Sequence, residues 1–192
     1  QGIAGKPEHL LMHHHGINLI KTDRGGQITF HGPGQIIAYL LLDIRRLKLG
    51  VRELVRCMEN AVIDLLHDYH VTATGRIEAP GVYVDNAKIA SLGLKIRKNF
   101  CYHGIALNVN MDLTPFSYIN PCGYQGLRVT QTKDLGITDD IEVLSNQLAQ
   151  KLQEIIDRYN SGNASNESYF DDLMDYVEKM REEEMRAAKE GM

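Results

Sequence analysis

The amino-acid sequence predicts an α+β domain built on a mixed β-sheet with packed helices. Three observations lead to that class. Residues 51–66 carry apolar side chains at helical spacing, residues 88–97 alternate with a period of two, and a second helical pattern runs over residues 139–159. A chain of 192 residues accommodates one domain with a full core and is short for two.

The chain opens in a Gly-containing loop at Gln1, without a methionine, as a fragment or a processed form does. Residues 24–35 (RGGQITFHGPGQ) read as a loop around a short strand at 27–30. Residues 36–42 (IIAYLLL) then read as a buried strand; this longest apolar run is far too short to cross a bilayer. In the first helix Val51, Leu54, Val55, Met58, Val62, Leu65 and Leu66 share one face, with Gly50 as its cap. Strand-like pieces follow at 70–72, 81–84, 88–97 and 100–109, and Asp85-Asn86 is good material for a hairpin turn. Residues 110–136 are loop-like, holding Pro115, Pro121, Gly123 and Gly126. In the second helix Asp139 and Glu142 stand at capping-box spacing ahead of Leu144, Leu148, Leu152, Ile155 and Tyr159. Residues 160–168 (NSGNASNES) form a polar linker. Beyond it a charged, weakly amphipathic tail carries Phe170, Leu173, Val177 and Met180. The expected division is a main domain over residues 1–160 and a linker with a helical tail over 161–192.

Hydrophobic residues make up 43% and charged residues 24%, as in soluble globular proteins. A net charge of −4 and a pI near 6.1 argue against nucleic acid as a partner, because no excess of Lys and Arg is present to neutralise phosphates. They leave room for a local basic patch that receives an acidic protein. No secretory leader or membrane span is expected. Cys57, Cys101 and Cys122 are odd in number and irregularly spaced, so neither a disulfide framework nor a zinc site is expected, and a reducing cytoplasm is the simplest fit.

The most informative chemical feature is Asn120-Pro121-Cys122-Gly123. Pro121 restricts itself and Asn120, and Gly123 permits a sharp turn just after the thiol, so the corner presents its cysteine. A lone cysteine is by default a small buried hydrophobe, and the corner alone leaves both readings open. Cys57, inside a regular helix, and Cys101, at a strand start, read as structural. A thiol attacks carbonyls as the thiolate, which a nearby cation favours. The candidates for that cation are His31, His103 and Lys88. Lys88 opens a strand in which Ala90, Ser91 and Gly93 leave space for an extended chain. Three glycine stretches (25–26, 31–34 and 103–104) bring backbone N–H groups within reach of a ligand or simply make turns; none matches a phosphate-binding fingerprint. The run His13-His14-His15 lacks spaced partners for a metal, and the Asn163 and Asn166 triplets mean little without a secretory signal.

Several longer stretches resemble the lipoyl(octanoyl) transferase family, also called lipoate-protein ligase B. They are residues 4–11 (AGKPEHLL), 22–35 (TDRGGQITFHGPGQ), 47–54 (LKLGVREL), 79–84 (APGVYV), 88–97 (KIASLGLKIR) and 103–126 (HGIALNVNMDLTPFSYINPCGYQG). The resemblance covers residues 4–159 in the family's order and spacing. It implies a biotin/lipoate protein ligase-like catalytic domain, here lacking the family's opening strand and helix. It also implies octanoyl (or lipoyl) transfer from acyl carrier protein to a lysine of lipoyl domains. The acceptors are the E2 subunits of 2-oxoacid dehydrogenases and the H protein of glycine cleavage. Cys122 falls on the family's acyl-thioester cysteine and Lys88 on its activating lysine. Acyl-chain contacts fall on Arg24, Gly25, Gly26, Gln27, Ile28, Thr29, Phe30 and His31, on Ser91, Leu92 and Gly93, and on Gly104, Ile105 and Ala106. No cofactor or metal is implied: thioester exchange is nearly thermoneutral and aminolysis to an amide is downhill, so ATP is not needed. Backbone N–H groups at Cys122-Gly123 or in the glycine loops are expected to hold the oxyanion. Two other readings compete: an ATP-dependent ligase on the same fold, which needs no cysteine, and a non-catalytic carrier-binding scaffold.

Overall fold

The computed structural model describes residues 1–11 and 16–160. The histidine run, the glycosylation triplets and the predicted tail lie outside the described residues. Six strands form one sheet: β1 (Gln35–Tyr39), β2 (Leu42–Asp43), β3 (Thr74–Gly75), β4 (Gly81–Val84), β5 (Ala87–Arg97) and β6 (Phe100–Asn108). Their order is β1-β6-β5-β4-β3, with β2 also on β6. All these pairings are antiparallel, and one parallel bridge, Lys88 to Val129, makes the sheet mixed. Two helices, α1 (Val51–Asp68) and α2 (Ile141–Asn160), pack against each other and against the sheet.

Tight turns set the register. Asp85 and Asn86 have φ of 46° and 64°, and Lys98 and Asn99 have 51° and 68°. Both are two-residue hairpin loops with the left-handed pair that matches strand twist, closing Val84↔Ala87 and Arg97↔Phe100. The period-two pattern of β5 then sorts its side chains. Ala90, Leu92, Leu94 and Ile96 join the helix-side core with Leu54, Met58, Val62, Leu65, Leu107, Leu144 and Leu148. Ile89, the extra residue where the register with β4 shifts, joins the same core; from Ser91 onward the alternate positions Ser91, Gly93 and Lys95 turn to the other face. Each fully buried Leu contributes about 1.5–3 kcal/mol.

Four expectations are corrected. Residues 27–30 are not a strand, because their carbonyls serve separate loops: Gln27 O accepts from Gly2 N and Ile28 O from Cys122 N. Residues 36–42 divide into β1 and β2 on one continuous register, Gln35↔Asn108 through Leu42↔Cys101. The break lies opposite His103, which has φ of 69°, although Leu40 N still donates to His103 O at 2.8 Å. Residues 70–72 close α1 instead of forming a strand: His70 has φ of 60° and Val71 N donates to Leu66 O. The cap of α2 is Asp140, not Asp139; its Oδ1 accepts from Glu142 N and Val143 N at 3.0 and 2.9 Å. Gly50 does cap α1, with the Glu53 carboxylate accepting from Gly50 N.

Candidate active site

Cys122 sits on the strained corner that its neighbours suggest. Its φ and ψ are 55° and 22°, left-handed values that L-residues with a side chain seldom adopt. Such strain, of order 1–3 kcal/mol, persists where surrounding contacts impose it. Those contacts come from several directions. Asn120 N donates to His9 O at 2.8 Å, Cys122 N to Ile28 O at 2.9 Å and Gly123 N to Asn120 O at 2.9 Å. The Tyr124 hydroxyl donates to Glu78 O at 2.6 Å. Gly123 (φ 78°) is required by contact as well as by conformation, since a Cβ there would stand 1.8 Å from Gln27 Oε1. Beneath the corner a small cluster of Ile28, Met111, Phe116 and Ile119 fills the loop side.

Lys88 meets this corner from β5. Its Nζ donates to Cys122 Sγ at 3.3 Å, and the residue is only 2% exposed. The backbone of Lys88 is clamped to the chain beyond the cysteine: its N–H donates to Arg128 O and its carbonyl accepts from Thr130 N. Gly81, at φ 147°, makes room for the side chain, because a Cβ would lie 2.3 Å from Lys88 Cε. The ammonium also stands 5.4 Å from the Tyr83 ring centroid, within cation–π range. A buried ammonium without a counter-charge is unstable by several kcal/mol. Here the sulfur is at hydrogen-bond distance, and Glu59 on α1 adds Coulombic attraction. Burial holds the Glu59 carboxyl above its ordinary pKa, partly offset by the Gly81 N–H at 2.8 Å and by Lys88.

The other two candidate cations are engaged elsewhere. His103 Nε2 pairs with Asp23 Oδ1 at 3.0 Å, which helps hold Asp23 below the usual carboxylate range. His31 Nδ1 bonds Gln35 Oε1 at 2.8 Å; Gln35 donates to Asn108, and Asn108 donates to Thr130 O. His31 thus reaches the Lys88 backbone through a relay, not the thiol. Burial pushes the thiols of Cys57 and Cys101 up to about 11, as suits structural cysteines.

The remaining predicted residues lie on β5, β6 and the 24–31 segment, and Leu92 and Ile105 among them face away from this pair. Ser91, Leu92 and Gly93 are the direct cross-strand partners of Ala106, Ile105 and Gly104. Leu92 and Ile105 point into the helix-side core, so the small residues Ser91, Gly93, Gly104 and Ala106 line the opposite face. The 24–31 segment crosses near that strip: Gly25 N donates to Leu94 O at 2.7 Å, and Ile28 O holds Cys122. Gly26 is exposed at the crossing, Thr29 is half-buried, and Phe30 stacks edge-on against Phe116. Arg24 is largely desolvated, which lowers its pKa, with Cys122 acting in the opposite sense. The expectation that backbone N–H groups of Cys122 and Gly123 hold an oxyanion is not met in this arrangement, since both already donate to carbonyls.

Comparison with known proteins bears on this geometry. The model of the lipoyl protein ligase A/B catalytic domain matches residues 2–153. The chain belongs to this family. An octanoyltransferase of Nitrosospira multiformis is 71% identical over 153 residues, covering 80% of this chain and 71% of that protein. One of Nitrosomonas europaea is 71% identical over 150 residues, covering 78% and 73%. Among solved structures, lipoate-protein ligase A bound with ATP superposes with a TM-score of 0.61 at 19% identity, covering 74% of this chain and 60% of that one. A biotin protein ligase from Aquifex aeolicus gives 0.57 at 16% identity, covering 73% and 59%. These structures establish the lipoate/biotin protein ligase fold for the chain.

Within this family domain, three features at the site were not legible in sequence. Glu59 and Tyr83 belong to helix and strand patterns that read as packing. The orphaned carboxamide oxygens of Gln27 and Asn120, both buried beside Cys122 without a hydrogen-bond partner among the described residues, have no sequence signal at all. Leaving such an acceptor unmade costs about 1–3 kcal/mol. Among the described residues no cluster of His, Cys, Asp and Glu is placed to hold a metal ion, and no helix is long and apolar enough to cross a membrane.

Proposed function

We propose that this chain transfers an octanoyl group from the thioester of acyl carrier protein to a specific lysine of lipoyl domains, through an acyl-thioester on Cys122. This would be the first step of endogenous protein lipoylation in the cytoplasm. The acceptors are E2 subunits of 2-oxoacid dehydrogenases and the glycine cleavage H protein. The catalytic unit is residues 1–160. The observation that carries the reading is the buried 3.3 Å contact of Lys88 Nζ with Cys122 Sγ. The names of the 71%-identical relatives supply the acyl group.

The chemistry follows from that pair. The ammonium favours the thiolate, which attacks the donor carbonyl; the carbon–sulfur bond to the carrier breaks as the bond to Cys122 forms. Lys88 gives its proton to the departing carrier thiolate and becomes neutral. The acceptor lysine, having lost one proton to solvent, attacks the acyl-enzyme as a free amine. Neutral Lys88 takes a second proton from it, an amide remains, and Cys122 leaves as thiolate beside a restored ammonium. With the corner N–H groups engaged, Lys88 is the donor at hand for the developing oxyanion. The acyl chain lies along the small-residue strip of β5 and β6 under the 24–31 segment.

The test is transfer to a lipoyl domain with octanoyl-acyl carrier protein as donor, against free octanoate plus ATP. Turnover with the carrier thioester alone is expected. Turnover with octanoate and ATP alone would replace this reading with that of an ATP-dependent ligase.

A further inference from the structure

Two of the three buried side-chain atoms without a hydrogen-bond partner among the described residues lie at the Cys122 corner: Gln27 Oε1 and Asn120 Oδ1. The third, Glu53 Oε1, lies at the start of α1, where its sister oxygen caps the helix. The Gln27 carboxamide abuts Gly123, and Asn120 stands two residues before the thiol, its own carbonyl closing the turn. The backbone of Asn120 is held by the contacts that present the sulfur, and the Gln27 carboxamide lies against the same turn. Both orphaned oxygens are acceptors. The reacting thioester group itself, a carbonyl oxygen and a sulfur, has no hydrogen to donate to them. An amine brings N–H groups.

We propose that Gln27 and Asn120 receive the acceptor lysine: their carboxamide oxygens accept hydrogen bonds from its ε-amine and aim the nitrogen lone pair at the acyl carbon. This rests on the proposed octanoyl transfer and assigns the second half-reaction its own binding groups. The attacking amine has two N–H bonds. One passes its proton to Lys88 as the carbon–nitrogen bond forms and the carbon–sulfur bond breaks; the other stays in the amide. An acceptor oxygen orients the amine without removing the proton that Lys88 takes. The two carboxamides are positioning residues for the amine, and their effect is confined to the step in which it reacts.

The experiment separates the two halves on one acyl-enzyme. Full-length protein carrying Asn120→Leu or Gln27→Leu is loaded with octanoyl-acyl carrier protein. The octanoyl adduct is then discharged either by a lipoyl domain or by hydroxylamine, a small amine that needs no docking. The rate to the lipoyl domain relative to that to hydroxylamine is expected to fall about tenfold or more in each variant. Asn120→Asp, which keeps an acceptor oxygen, should restore much of the ratio relative to Asn120→Leu. Should a leucine variant not load, Asn120→Ala carries the same comparison. An unchanged ratio in variants that load overturns the assignment while leaving octanoyl transfer intact. Failure of the unmodified protein to load at Cys122 would instead count against the transfer reading itself.

Discussion

Cys122 and Lys88 meet as a pair, thiol against ammonium, in a buried setting. The ammonium is buried with the sulfur at 3.3 Å, so replacing it changes the charge that the thiol faces. Lys88→Met should slow both the alkylation of Cys122 and acyl loading, the latter by at least about tenfold. Gly81→Ala should do nearly the same while leaving the identity of both residues unchanged, since its Cβ would displace Lys88 Cε. Alkylation and loading rates check both; rates unchanged from the parent would remove Lys88 from its role. At this scale the sequence was informative about presentation: proline, cysteine and glycine in succession predicted a corner, and the corner is there. It did not choose among His31, His103 and Lys88. That choice depends on where three separate strands and loops meet, and local sequence carries no record of it. The family resemblance pointed to Lys88, and the bonds of the two histidines to Gln35 and Asp23 explain why neither reaches the thiol.

Among the elements, those with a full period were readable and those defined by single contacts were not. The apolar stripe of α1 and the alternation of β5 survive because each repeats over many residues, whereas the 27–30 segment is two or three backbone bonds serving different loops. The cap of α2 missed by one residue for a related reason: Asp139 and Asp140 are adjacent and chemically alike. Asp139 instead accepts a hydrogen bond from the Tyr69 hydroxyl, which ties it to the end of α1. Asp140→Ala should therefore destabilise the fold by about 1 kcal/mol, measured by urea denaturation. An equal or larger loss in a mutant that retains Asp140 but changes Glu142 would favour the capping-box reading. Helix α2 matters to the site only indirectly, by covering α1, which in turn carries Glu59 to the back of Gly81 and Lys88.

At the level of the whole molecule, the sheet divides two functions between its faces. Helices and a large apolar core occupy one face; the small-residue strip, the glycine loop and the thiol corner occupy the other. Glu59 crosses between them as a buried carboxylate. Its pKa is raised in the folded state, so its stabilising contribution is full below the ordinary value of 4.5 and is lost as pH rises through the folded value. Glu59→Gln, which keeps an acceptor for Gly81 N–H, should raise Tm at neutral pH, with the gain disappearing in acid. A gain that persists in acid would locate the effect elsewhere. The family fold was evident in the ordered motifs, since they span elements that must assemble together. The division of faces was not, because period two shows that neighbours alternate but not which side is covered.

The most direct measurement is intact mass and peptide mapping of the protein after mixing with octanoyl-acyl carrier protein. One octanoyl group, labile to hydroxylamine and confined to the peptide containing Cys122, is predicted, and Cys122→Ser should not acquire it. An adduct on Cys57 or Cys101, whose burial holds their thiols near 11, or no adduct in a protein that still transfers octanoyl to a lipoyl domain, would contradict the account.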